Sequence, residues 1–207
     1  MGKSNRQLWT QFLRNQPQKD SCLPVKSIKH NPKNILARPA SVGASFCGKI
    51  LGIDPSLRGT GWAVIEVQDR DHIELIASQT LKIPASEDLL SCTGKIHTCI
   101  ASVIERYRPA LCAAEQTIYV QNSQTAQRMG IARGAILSAI SIAGLRIYEY
   151  APLRIKQAIC GYGRASKEQV SRMVQSILHA QLDIGFDETD ATAAALCCYF
   201  TERDLRN

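Results

Sequence analysis

Hydrophobic and polar positions fall into two regimes that meet near Cys47. Residues 1 to 46 are polar, are interrupted by Pro17, Pro24, Pro32 and Pro39, and hold no sustained period; only Leu8, Trp9, Phe12 and Leu13 fall at helical spacing. Such a stretch has too little apolar surface to offset the entropy of ordering it, so a disordered arm is expected. From residue 47 to 207 the pattern is that of one folded domain. KILGID is a short apolar run, a turn follows over Pro55–Gly61, and WAVIEV alternates, which together predict a β-hairpin. HIELIASQTLKI continues as strand. Leu89 to Tyr107 then switches to helical period, with Ile96, Ile100, Val103, Ile104 and Tyr107 on one stripe and Pro109 just beyond it. ALCAAE is apolar up to its last residue and predicts a central strand buried on both faces. SQTAQRMGIARGAILSAISIAG predicts a long helix rich in small residues that stops at Gly144, followed by the strand RIYEYA. After the short helical stretch RIKQAIC and the loop GYGRA, Ser166 and Gln169 have capping-box spacing at the head of SKEQVSRMVQSILHAQL. A last helix is expected from near Asp187 toward Arg203. Strands first, then alternating helices and strands, define an α/β fold with helices on both faces of a sheet.

Charge changes this picture only at the N-terminal side. Residues 1 to 48 carry eight Lys or Arg against Asp20 alone, which is the whole net charge of +7, while residues 49 to 207 carry seventeen of each sign. A basic, acid-poor leader with one amphipathic turn fits a DNA-tethering tail or a neutral extension better than an organelle presequence, and the sequence does not separate the three. The eight cysteines include no C-x-x-C and no zinc-finger spacing, so they are read as small buried hydrophobes in a reducing compartment. No apolar run approaches the ~20 residues that span a bilayer, and no secretory signal pattern opens the chain, so a soluble intracellular protein is expected.

The chemistry suggested by the sequence lies in carboxylates placed where strands end or a helix begins. Asp54 ends KILGID, Glu115 ends ALCAAE, and Asp187 and Asp190 open DETDATAAALCCYF. Each has an ordinary structural explanation to be weighed: Asp before Pro readily terminates a strand through turn hydrogen bonds, and acids in a first helical turn are favoured by the helix dipole. Glu115 resists this, because a carboxylate ending an apolar strand is costly to bury without a partner charge or a metal. The i, i+3 spacing of Asp187 and Asp190 turns both the same way, whereas Glu188 falls on another face and is expected to be solvated. If the fold brings these acids together, the all-oxygen donor set suits Mg2+ or Mn2+. Lys167 follows the Ser166 cap, where a helix N-terminus already favours phosphate, and Lys156 and Arg154 precede the same loop. Arg106, Arg108 and Arg172 are assigned to solvated helix faces. Two phosphate-loop lookalikes are set aside: GASFCGK ends in Ile50 rather than Ser or Thr and leads into a strand, and GYGRAS lacks the third glycine of a dinucleotide loop.

Four blocks in order, LGIDPSLRGTGWAVIEV, AAEQTIYVQNSQTAQRMGIARGAI, YEYAPLRIKQAICGYGRASKEQV and DETDATAAAL, resemble the RuvC family of bacterial Holliday-junction resolvases over roughly residues 48 to 200. The resemblance implies an RNase H-like fold with a mixed five-stranded sheet, a homodimer, and Mg2+-dependent cutting of four-way DNA junctions, with two ions per subunit and Mn2+ able to substitute. By position it assigns Asp54, Glu115, Asp187 and Asp190 to the metal site, Lys167 to the active site and DNA phosphate, and Lys156 to DNA phosphate. It places Gly130, Arg133 and Gly134 on the helix that pairs subunits. It further implies a branch-migration motor of RuvA and RuvB type as partner and a cytoplasmic, nucleoid-associated location. Two positions depart from the family pattern: Ser56 stands where glycine follows the Asp-Pro, and the junction-opening aromatic has its nearest counterpart in Tyr119, one place beyond Ile118. The basic extension has no counterpart. The competing functions are a non-catalytic junction-binding paralogue, a nuclease for other branched DNA or RNA, and an ATPase of the actin and sugar-kinase type. The last would need a second phosphate-binding hairpin and a longer chain.

Overall fold

A computed structural model describes residues 46–69, 72–116, 122–180 and 182–204. The expected arm of residues 1 to 46 therefore lies, but for Phe46, outside the described residues. Five strands, β1 (Gly48–Asp54), β2 (Gly59–Val67), β3 (Ile73–Lys82), β4 (Leu111–Glu115) and β5 (Arg146–Tyr150), form one sheet in the order β3-β2-β1-β4-β5. β1, β2 and β3 are antiparallel neighbours, and β4 and β5 add in parallel to the other side of β1, so the sheet is mixed. The hairpin read from alternation is present, with Asp54 opposite Gly61. β4 is interior, as its unbroken apolar run requires, but β1 rather than β4 is the middle strand.

Helices α1 (Leu89–Tyr107) and α2 (Ser123–Ile142) cover one face; α3 (Pro152–Cys160), α4 (Lys167–Ile177) and α5 (Phe186–Asp204) belong to the other. Local chemistry sets their ends. Asp88 accepts the Ser91 N–H at 2.7 Å to cap α1, and Arg108 closes it in the left-handed conformation just before Pro109. Asn122 caps α2 through the Thr125 N–H. The capping box at α4 forms in both directions, Gln169 N–H to Ser166 Oγ and Ser166 N–H to Gln169 Oε1.

Alternation along β1 and β2 divides the core between the faces. Leu51, Ile53, Trp62 and Val64 pack with the stripe Ile96, Ile100, Val103 and Ile104 of α1. Ile50, Ile65 and Val67 pack on the opposite side with Val170 and Val174 of α4 and with α5. From Ala191 to Tyr199 every residue of α5 is buried, and most are Ala, Thr or Cys. A helix apolar all round must be enclosed, and small side chains let this one lie close to the sheet. Two glycines show how close: a Cβ built on Gly52 would stand 1.9 Å from the Ala191 carbonyl oxygen, and one on Gly61 would stand 2.2 Å from that of Asp187. Backbone meets backbone there, and only glycine permits it.

Candidate active site

This contact brings the acids together. Ile53 pairs with Ala114 in the parallel β1–β4 register, so Asp54 and Glu115 are the next residues at the same edge of adjacent strands. Residues in register share a face, and it is the face covered by α5, where Gly52 and Gly61 also lie. The first turn of α5 is laid over them. Its Thr189 N–H bonds to the Gly185 carbonyl at 2.9 Å, which puts Asp187 inside the turn rather than at the cap. The Asp187 carboxylate overlies Gly59, with Oδ2 at 3.3 Å from a built Cβ.

Electrostatics shows the four acids acting on one another. Burial, then the charges of Asp190, Glu115 and Asp187, push the Asp54 carboxyl up to about 7 from 3.8, against the opposing pull of Lys167. Glu115 is also raised, by burial first and then by Asp190, while Lys167 and Lys156 draw it down. Lys167 donates to Asp190 Oδ2 at 2.7 Å, and that bond holds its ammonium above the usual lysine range. Lys167 and Lys156 therefore lie within reach of the acids, as their positions before and after the GYGRA loop suggest. The charge of Arg154 acts on the Cys197 thiol, ten residues and about 15 Å farther along α5 than Asp187.

One expectation is corrected. Glu188 is not solvated: it accepts hydrogen bonds from Ser78 at 3.1 Å and Thr80 at 3.2 Å, and so pins the first turn of α5 to β3. The helical wheel correctly put it on another face from Asp187 and Asp190 but could not show that β3 occupied that face. A signal was present in the hydroxyls of Ser78 and Thr80, two apart and hence on one side of a strand. Gly52 and Gly61 were also passed over, although a glycine inside a strand marks a close backbone approach. Tyr119 and Ile118 lie outside the described residues.

The residues fit a divalent cation. The donors are all carboxylate oxygens, and burial together with the three neighbouring acids raises the Asp54 carboxyl to about 7, a penalty on its charged form that a hard cation relieves. Among the described residues no group of three or more candidate ligands is close enough together to hold an ion as it stands, and Lys167 lies beside the acids.

A mixed sheet with helices on both faces and clustered acids at the ends of neighbouring strands defines an RNase H-like nuclease. Comparison with known proteins narrows this. The family model described as crossover junction endodeoxyribonuclease RuvC matches residues 50–198. The RuvC of Halorhodospira halophila is 44% identical over 149 residues, 72% of this chain and 88% of the relative. The structure of Thermus thermophilus RuvC aligns with a TM-score of 0.71 at 32% identity, over 76% of this chain and 97% of the other. The same protein in complex with a Holliday junction substrate aligns with a TM-score of 0.73 at 32% identity, over 77% and 97%. The chain belongs to the RuvC family of crossover junction endodeoxyribonucleases. Among the described residues no helix is long and apolar enough to cross a membrane.

Proposed function

We propose that this nuclease resolves four-way DNA junctions with Mg2+, or Mn2+ in its place, held by Asp54, Glu115, Asp187 and Asp190. The observation that carries the reading is the placement of Asp54 and Glu115 side by side on adjacent strand ends, under the helical turn that bears the other two acids. Divalent cations held by these four acids would lower the pKa of water at the site and supply positive charge opposite the leaving oxygen. Asp54, on which the charges of the other three acids all act, would be the central ligand of a bound cation. Lys167 stays protonated through Asp190 and offsets the charge that grows on the scissile phosphate. Lys156, half-buried beside Glu115, contributes a phosphate contact on the neighbouring strand.

The reading extends to a homodimer. Gly130 and Gly134 on α2 are exposed, and a Cβ on either would meet nothing within 4 Å, so that face is open to a second helix. Arg133 on the same helix is held within the subunit instead, by two 2.6 Å bonds to Glu149 on β5. A two-fold dimer presents two acid sites to a nearly two-fold junction, from which paired, symmetric nicks follow. A motor of RuvA and RuvB type would deliver the junction on cytoplasmic, nucleoid-associated DNA.

Asp54→Asn is the decisive variant. It should retain junction binding in a gel-shift assay and lose metal-dependent nicking of a synthetic junction by at least about a hundredfold. Full cleavage by the variant would remove Asp54 from the reaction.

A further inference from the structure

Phe186 is the first residue of α5, immediately before Asp187 and one helical turn ahead of Asp190, so it shares a face with Asp190. It is 50% exposed and packs in neither hydrophobic core. Its ring is instead turned to the Lys167 ammonium, 5.9 Å from the centroid, the same ammonium that bonds Asp190. An exposed aromatic therefore stands at the rim of the acid cluster, beside the ammonium that bonds Asp190.

We infer that Phe186 is a substrate-positioning residue, on which the base of a nucleotide flanking the scissile phosphate stacks. The inference rests on the reading of the acid cluster and Lys167 as the cleavage site. Phosphates repeat every ~3.4 Å of axis along one strand, so a phosphate drawn to Lys167 carries its adjoining nucleotides within reach of a ring 5.9 Å from that lysine. Every base has a π-face, and an aromatic platform holds an unpaired one without reading its identity. Bases at the exchange point of a junction are the ones able to leave their stack. The cation-π contact leaves the ring exposed, and the stacked base would occupy that exposed surface.

The test uses the full chain and a synthetic junction with 2-aminopurine placed in turn at each position around the mapped cut. Binding is followed with Asp54→Asn as the non-cutting background, alone and combined with Phe186→Leu or Phe186→Trp. One position next to the cut should change fluorescence on binding; the change should persist with Trp and vanish with Leu, and the Leu variant should bind about five- to tenfold more weakly, the lower range for one lost stack. With wild-type acids, Phe186→Leu should raise the KM for the junction more than it lowers kcat. Identical fluorescence with Leu and Phe would overturn the inference, as would a Leu variant that alters only the pH profile of cleavage, since the ring would then serve Lys167 alone. Should Phe186→Leu fail to fold, 5-iodouracil at the same position decides with the unsubstituted side chain. A photo-crosslink to Phe186 supports stacking, and crosslinks only to other residues sink it. Failure of the acid-site reading looks different: Asp54→Asn would then go on cutting.

Discussion

Asp54 carries two demands that conflict in the absence of a cation, because it is half-buried where β1 ends under α5 and is surrounded by its own kind of charge. The folded chain keeps its proton up to about pH 7, whereas an unfolded chain gives it up near 3.8. Between those values the folded state binds more protons, so its stability falls as pH rises, and the full penalty is present above pH 7. Without divalent ions the protein should lose on the order of 4 kcal/mol across that window, at about 1.4 kcal/mol per pKa unit. Denaturant titrations from pH 4 to 8 would check this, with Asp54→Asn expected to flatten the slope; an equally steep loss in the variant would detach the effect from Asp54. Mg2+ at pH 8 should raise the melting temperature of the wild type more than that of Asp54→Asn. At this scale the sequence disclosed the acids through their positions at the ends of apolar runs. Phe186 was not legible, being defined by its distance from a lysine on α4, and Glu188 was legible only from the side of its partners, since the paired hydroxyls of Ser78 and Thr80 do not tell which element faces them.

Elements were the most legible level, since each strand and helix is written in its own periodicity and caps. Ser166 and Gln169 announced α4, and the stripe from Ile96 to Ile104 gave the buried face of α1. The separation between elements is another matter. Nothing in the period of α5 tells how near it lies to the sheet; that is determined by the missing side chains of Gly52 and Gly61 together with the small residues above them. Gly61→Ala would force the first turn of α5 away from β2, since a Cβ would stand 2.2 Å from the Asp187 carbonyl oxygen. We expect a loss of about 1–3 kcal/mol, typical of overpacking, and a larger proportional loss of nicking than of junction binding. Thermal melts and single-turnover cleavage would measure the two separately. A Gly61→Ala enzyme with wild-type turnover would show that the position of α5 is not critical to the reaction.

For the whole molecule, the sign of charge is segregated along the chain: residues 49 to 207 are neutral by count and the first 48 hold the entire excess. Junction affinity should therefore fall steeply with salt, and a protein beginning at Phe46 should show a shallower slope if the leading lysines and arginines touch phosphate, by roughly 0.9 in log–log slope per lost contact on duplex. Equal slopes for the two forms would remove the leader from DNA binding. The fold class was readable from strand and helix order, and the mixed five-stranded sheet matched what the family resemblance implied; which strand lay in the middle was not readable, because β1 and β4 are equally apolar and only pairing distinguishes them. The acids come from positions as far apart as 54 and 190, with the last pair delivered by α5. On the reading proposed above, a polypeptide that stops before that helix keeps only Asp54 and Glu115 of the four acids and should fail to nick DNA, so the capacity to cut would be gained only once α5 has been added.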